Sequence, residues 1–133
     1  MAGSATIISN TLHGKWRTII WEWTSDASGD VSSVGSLSIP SGSVNTFLSV
    51  PKSGVTDNFD LVLTGSILLK TGVRVAVADL LHGTGANLSN STDGEFKNVD
   101  VVLPLPHNVE IAPVIAAAGN ATSGYLFLFC WEE

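Results

Sequence analysis

The chain predicts an all-β fold: one domain, a β-sandwich of jelly-roll type with about eight to ten short strands. Three observations lead there. Runs rich in β-branched and aromatic residues recur roughly every 8–12 residues, separated by Gly, Pro, Asn, Asp and Ser. No segment carries a 3.6-residue apolar period between helix caps. The stretch from Lys15 to Asp26 holds three of the four tryptophans, Trp16, Trp21 and Trp23, and suits a pleated surface far better than a helix. At 133 residues a single domain with a sizeable core is expected.

Taken in order, residues 1–14 read as an N-terminal arm, flexible or extended over Met1 to Ala5, with a possible first strand from Thr6 to Leu12. Residues 15–133 read as the sandwich. His13-Gly14 turns the chain into the Trp-rich strand. Its odd positions carry Arg17, Ile19, Trp21 and Trp23, and its even positions Trp16, Thr18, Ile20, Glu22 and Thr24. Successive side chains point to opposite faces, so large apolar groups fall on both faces, and the strand is expected to be covered on both. Ser25 to Asp30 is a run of turn formers. Val31 to Ile39 is again strand-like, and the two segments form the best hairpin candidate.

Beyond the break at Pro40-Ser-Gly42, Val44 to Val50 reads as a strand with Val44, Thr46 and Leu48 on one face and Phe47 and Ser49 on the other. Pro51 to Gly54 is a turn. Asn58 to Leu63 alternates Phe59, Leu61 and Leu63 against Asp60 and Val62. Gly65 to Gly72 fits a helical turn, a bulge or a short strand. Arg74 to Leu80 reads as a strand from the alternation of Val73, Val75 and Val77. Thr84 to Glu95 is a polar loop. Val99 to Leu103 is a strand stopped by Pro104-Leu-Pro106, and Val109 to Ala117 is the next, with Pro113 pointing to an edge or a bulge. Tyr125 to Trp131 is nearly all apolar, which predicts a central strand.

Charge narrows the function classes. Only 14% of residues are Asp, Glu, Lys or Arg, against about 25% in an average domain. A surface so poor in charge is expected to be wetted by Ser, Thr and Asn and partly covered in an oligomer. Net charge is −6, and the six cations are scattered, which argues against direct nucleic-acid binding. No apolar run approaches the ~20 residues of a membrane span, and the N-terminus lacks the basic and apolar regions of a signal peptide. Synthesis in a cytoplasm is the expectation.

Chemistry is hard to place on this chain. Cys130 is single, within Leu126-Phe-Leu-Phe-Cys-Trp131, and reads as a small buried hydrophobe. Asp26-Ala-Ser-Gly-Asp30 spaces oxygen ligands like the start of a calcium loop. It lacks the glycine at the sixth position and the distal Glu, so a tight turn is the expected role. Asp57 reads as a local cap or turn residue. His13, His82 and His107 lie far apart without the spacing of a metal site. No serine sits in Gly-x-Ser-x-Gly and no carboxylate pair is singled out. No catalytic, metal-binding or cofactor-binding residue is therefore assigned, and no enzyme is expected. The aromatics Trp16, Trp21, Trp23, Phe47, Tyr125, Phe127, Phe129 and Trp131 are the candidate core or oligomer contacts; stacking of tryptophan on sugar is the alternative role.

Several segments carry a resemblance. Trp21-x-Trp23-Thr-Ser-Asp-Ala-Ser-Gly-Asp-Val31 looks like the start of small virion proteins of tailed bacteriophages, where an aromatic strand runs into a Ser-Asp-x-x-Gly turn. Val55-Thr-Asp-Asn-Phe-Asp-Leu-Val-Leu63 is similar to their P-T-D-x-Y-D-V-x-L segment, with Val55 in place of the commoner Pro. Ala86 to Thr92 and Ala118 to Tyr125 resemble the same pattern, in order, from about Lys15 to Trp131. The resemblance implies a capsid decoration (cement) protein. Such a protein is a homotrimer on the outer capsid surface that clamps the major capsid protein, without catalytic residues, bound nucleic acid or membrane. Its arm, Met1 to Asn10, would reach a neighbour or the capsid. A head–tail connector, tail or fibre-base component is the alternative in the same class, and a carbohydrate-binding jelly roll the alternative in another.

Overall fold

The computed structural model describes residues 3–31, 33–34, 37–39, 42–68, 71–77, 79–99 and 109–132. Among them are ten strands and no helix: β1 Ser4–His13, β2 Trp16–Thr24, β3 Ser33–Val34, β4 Leu37–Ile39, β5 Gly42–Pro51, β6 Asp60–Leu68, β7 Arg74–Val77, β8 Glu95–Asn98, β9 Val109–Ala116 and β10 Ser123–Glu132. They form a six-stranded sheet in the order β3-β1-β2-β10-β5-β8 and a four-stranded sheet in the order β4-β9-β6-β7. With β1 and β3 set aside, β2-β10-β5-β8 and β4-β9-β6-β7 are the two four-strand orders of a jelly roll. The first and last strands of the roll, β2 and β10, pair along their whole length. The predicted sandwich is thus present, and the near-continuous apolar run of β10 does lie centrally, between β2 and β5.

The sequence pattern explains which side of each strand is buried. In β2 the odd positions Ile19, Trp21 and Trp23 are 0–2% exposed, and the even positions face away from the core. In β10 the inward residues are Leu126, Leu128 and Cys130, and in β6 they are Leu61 and Leu63. Val109, Ile111 and Ile115 of β9 close the core from the opposite sheet. Trp21, Trp23, Phe47 and Phe59 are its largest fully buried side chains. Trp23 meets Phe59 with ring centroids 6.0 Å apart, joining the two sheets.

Five expectations change. The hairpin partner of the Trp-rich strand is β1, joined through Gly14-Lys15, and the segment after Asp30 goes elsewhere. Gly14 takes φ +62°, as the first central residue of a two-residue hairpin turn can when it has no Cβ. Val31 instead bridges Ile115 across the sandwich, β3 pairs parallel with β1, and β4 joins the other sheet. The cause is the Ser25–Asp30 turn, whose backbone and side-chain groups are satisfied by the 118–122 loop and by one another rather than by a tight reversal.

Second, the strand expected over Thr6 to Leu12 is present but starts earlier, at Ser4: Ala5, expected in the arm, pairs with Trp23 and is buried, so residues 3–13 belong to the sandwich. Third, a bulge opposite Phe129 and Cys130 reverses the alternation in β5. Val44 is therefore buried beside Phe47, while Thr46 and Leu48 face out. Fourth, β9 is flanked on both sides, with Pro113 in its middle. Ile115 directs its N–H to Val31, so Pro113, two residues before, faces the same side. It falls there between the short β4 ladder and the Val31 bridge, where a missing donor costs nothing. Fifth, β6 runs on through Ile67, which decides the ambiguous stretch in favour of strand as far as Leu68. Of the strand expected over Val99 to Leu103, Val99 is buried and donates to the Asn45 carbonyl. The remainder, with Pro104 and Pro106, lies outside the described residues.

Candidate functional site

A sheet that packs one face on a core leaves the other for solvent or a partner. The register of the six-stranded sheet places its outward side chains in cross-strand rows. One row runs Phe96, Leu48, Phe127, Ile20, Ser9. The next runs Asn98, Thr46, Phe129, Thr18, Thr11. A third holds Val50, Tyr125, Glu22 and Thr6, and the row at the opposite end holds Ser43, Trp131, Trp16 and His13. Every residue in these rows is half-buried or exposed. Phe96 is 67% exposed, Trp16 45% and Trp131 37%.

The rings are packed on one another rather than scattered. Phe96 stacks on Phe129 with centroids 6.2 Å apart and planes 28° apart, and Trp16 meets Trp131 edge to face at 5.0 Å and 75°. With aromatic side chains of about 150–250 Å² each, the exposed parts of Phe96, Trp16 and Trp131 alone come to roughly 300 Å². Leu48, Phe127, Phe129, Tyr125 and Ile20, all half-buried, extend that surface into the range of the largest apolar patch on an ordinary monomer, about 300–600 Å², which is often functional.

Charge on this face is sparse: one ion pair, and Lys15 Nζ 6.0 Å from the centre of the Trp131 ring. Glu22 is the one carboxylate in the rows, and Lys52 Nζ lies 3.0 Å from its Oε2 and 5.0 Å from the centre of the Tyr125 ring. Hydrogen bonding from Lys52 first, and from Tyr125 next, holds the Glu22 carboxyl below its usual range. The same partnership with Glu22 raises Lys52. The pair therefore stays fully ionised, and neutral in sum, on both sides of pH 7.

The eight aromatics named from the sequence divide cleanly. Trp21, Trp23 and Phe47 are core, at 0–2% exposure. Trp16, Tyr125, Phe127, Phe129 and Trp131 are on the outer face. Sequence reasoning missed Phe96, Leu48 and Ile20 as parts of that face. Phe96 stands alone between Glu95 and Lys97, and only the β5–β8 register brings it beside Leu48.

The remaining candidates are structural. Asp26 Oδ1 accepts from the backbone N–H of Ser28 at 2.9 Å and of Asp30 at 3.0 Å, and these bonds, that to Asp30 foremost, lower its pKa. It caps a turn, as the spacing predicted. Asp57 sits in a turn, one of its two expected roles, and its Oδ1 accepts from Asn90 N–H at 3.1 Å, tying two loops together. Asp79 accepts from Leu63, Leu81 and Gly83 N–H and anchors the loop after β7 on β6. His13 lies at the β1–β2 turn and His82 in the 80–87 loop, while His107 is outside the described residues. Among the described residues no three His, Cys, Asp or Glu side chains converge as metal ligands.

Cys130 is 2% exposed, and burial, with Glu132 adding to it, pushes its thiol pKa up to about 12. The thiolate is the reactive form, so the folded protein should be inert to a thiol reagent at pH 8 and react within minutes once denatured. Ellman titration with and without guanidinium checks this; full reaction of the native protein would contradict the burial.

Comparison with known protein families, with characterised proteins and with solved structures finds no match to this chain. Its function has to be argued from the face itself.

Proposed function

We propose that this chain is a structural, non-catalytic component of a tailed-bacteriophage particle: a homotrimeric decoration protein that sits on the outer capsid surface and clamps neighbouring copies of the major capsid protein. The observation that carries the reading is the outer face of the six-stranded sheet, broad, aromatic and poor in charge, which calls for a macromolecular cover. The resemblance of the Trp21–Val31 and Val55–Leu63 segments to small phage virion proteins supplies the setting. A rigid jelly roll suits a clamp, because a protein that binds only the assembled, expanded shell stabilises that shell by mass action.

The test is to mix the purified chain with expanded and with unexpanded shells assembled without it. Cosedimentation with expanded shells, and a higher temperature for their disruption, is the expected result. Binding to neither form would overturn the reading. Recovery only in a ring at the portal would move the protein to the neck or tail.

A sugar-binding role would draw on the same aromatics. Trp16 and Trp131 stand 75° apart and so do not make one flat stacking platform, which favours protein contact. Tryptophan fluorescence that shifts on titration with oligosaccharides would reverse that preference.

A further inference from the structure

We infer that the outer face of the six-stranded sheet is where copies of this chain meet one another, with the Phe96–Phe129 stack and the Trp16–Trp131 pair as its two anchors. The inference rests on the assembly reading above and deepens it by assigning the subunit contact.

Three observations select a second copy as the occupant. The first is extent. The strands β1, β2, β10, β5 and β8 are adjacent, and at about 4.8 Å per strand they span roughly 20 Å. β10 has ten residues, about 33 Å. Their projected area is roughly 600 Å², and the accessible surface of protruding rings exceeds the projection. A stable contact needs about 800 Å² from each partner, and this face supplies most of that area.

The second is charge. The chain carries −6 overall, so two copies repel wherever unpaired acids are brought together. The outer face keeps that cost low, since the one carboxylate in its rows is held by Lys52. A face evolved for a strongly charged partner would carry a cluster of complementary charge, and beside the Glu22–Lys52 pair this one shows a single Lys15, over the Trp131 ring.

The third is the distribution of anchors. Exposed rings at both ends of one flat face, with Leu48, Phe127 and Ile20 between them, give neighbouring copies rings to insert and shallow apolar ground to insert them into. Buried aromatic anchors ringed by weaker contacts are the usual energetic centre of an interface.

The experiment measures dissociation by light scattering over a concentration series for the full chain and three variants. Phe96→Asp and Trp16→Asp change exposed anchors at opposite ends of the face, so a folding failure of one leaves the other informative. Val73→Asp, 58% exposed beside β7 in the opposite sheet, is the control. Far-UV circular dichroism verifies the fold of each. The expected result is an oligomer for the unaltered chain, a dissociation constant raised about 30-fold or more by each face variant, and no change for Val73→Asp.

An oligomer that survives both face variants overturns the inference, and so does a chain that stays monomeric throughout. Shell binding, measured in parallel, keeps the two ideas apart. Retained shell binding with an unmoved oligomer leaves the decoration reading standing without this contact. An oligomer broken by Phe96→Asp, with no shell binding by the unaltered chain, leaves the contact standing without that reading.

Discussion

Trp21→Ala should lower stability by about 3–5 kcal/mol, a large share of the 5–15 kcal/mol available to a domain of this kind. Trp21 is fully buried, in the middle of β2, which pairs with β1 on one side and β10 on the other. Removing the indole leaves a cavity that these ladders hold open, because the backbone on both sides is tied to its neighbours. The melting temperature should fall by roughly 10 °C or more. Trp21→Phe should cost much less. The indole Nε1 has no hydrogen-bond partner among the described residues, so phenylalanine removes an unsatisfied donor together with part of the ring. Thermal melts of the two variants check the argument. Equal losses would mean that the indole N–H is satisfied after all.

Gly29→Ala should cost about 2–4 kcal/mol, through two effects at one position. Gly29 takes φ +85°, and a Cβ built there lies 2.5 Å from Gly119 N and 2.8 Å from Ala118 N. Those atoms are backbone and cannot swing aside. The loop is also held by Gly29 N–H to Asp26 O at 3.1 Å and by Ala118 N–H to Gly29 O at 2.9 Å. Ser25 Oγ and Thr122 lock the same junction from below, through a 2.8 Å bond from Thr122 N–H to Ser25 Oγ. Gly54→Ala separates the two effects, because Gly54 has φ +99° but open space around its Cβ position. It should show only the backbone cost, about 1–2 kcal/mol. Denaturant midpoints for both variants give the comparison. A Gly29→Ala loss no larger than that of Gly54→Ala would show that the two loops can part without penalty.

These two positions also mark what sequence alone reveals. Strand-like composition located β2, β6, β9 and β10, but only in β6 did the alternation also mark the buried face. Leu61 and Leu63 were legible as inward residues for that reason, whereas Trp21 and Trp23 were not separable from Trp16. The bulge in β5 was not legible. It depends on the pairing with β10, and a single added residue moved Val44 to the other side. The partner of β2 was misplaced because Ser25 to Asp30 has turn composition, and composition does not say whether a turn reverses the chain or crosses the sandwich. The crossing depends on hydrogen bonds to residues about ninety positions later, such as Ser25 N–H to Thr122 O.

The outer face was half legible. Large apolar groups at the even positions of β2 and the odd positions of β10 announced a strand covered twice. The rows that join them to Phe96 and Leu48 follow from strand order, which no local pattern encodes. Sorting the aromatics into core and surface likewise needed the register. Trp16 and Trp21 are alike in sequence terms, yet one is 45% exposed and the other 0%.

The measurement that bears most directly on the account is the mass of the purified chain in solution by light scattering. A charge-poor aromatic face of this size predicts an oligomer, and the decoration reading predicts three times the 13.9 kDa of one chain. A mass of 13.9 kDa that holds as concentration rises would contradict it, because the face would then be stable in water with nothing covering it.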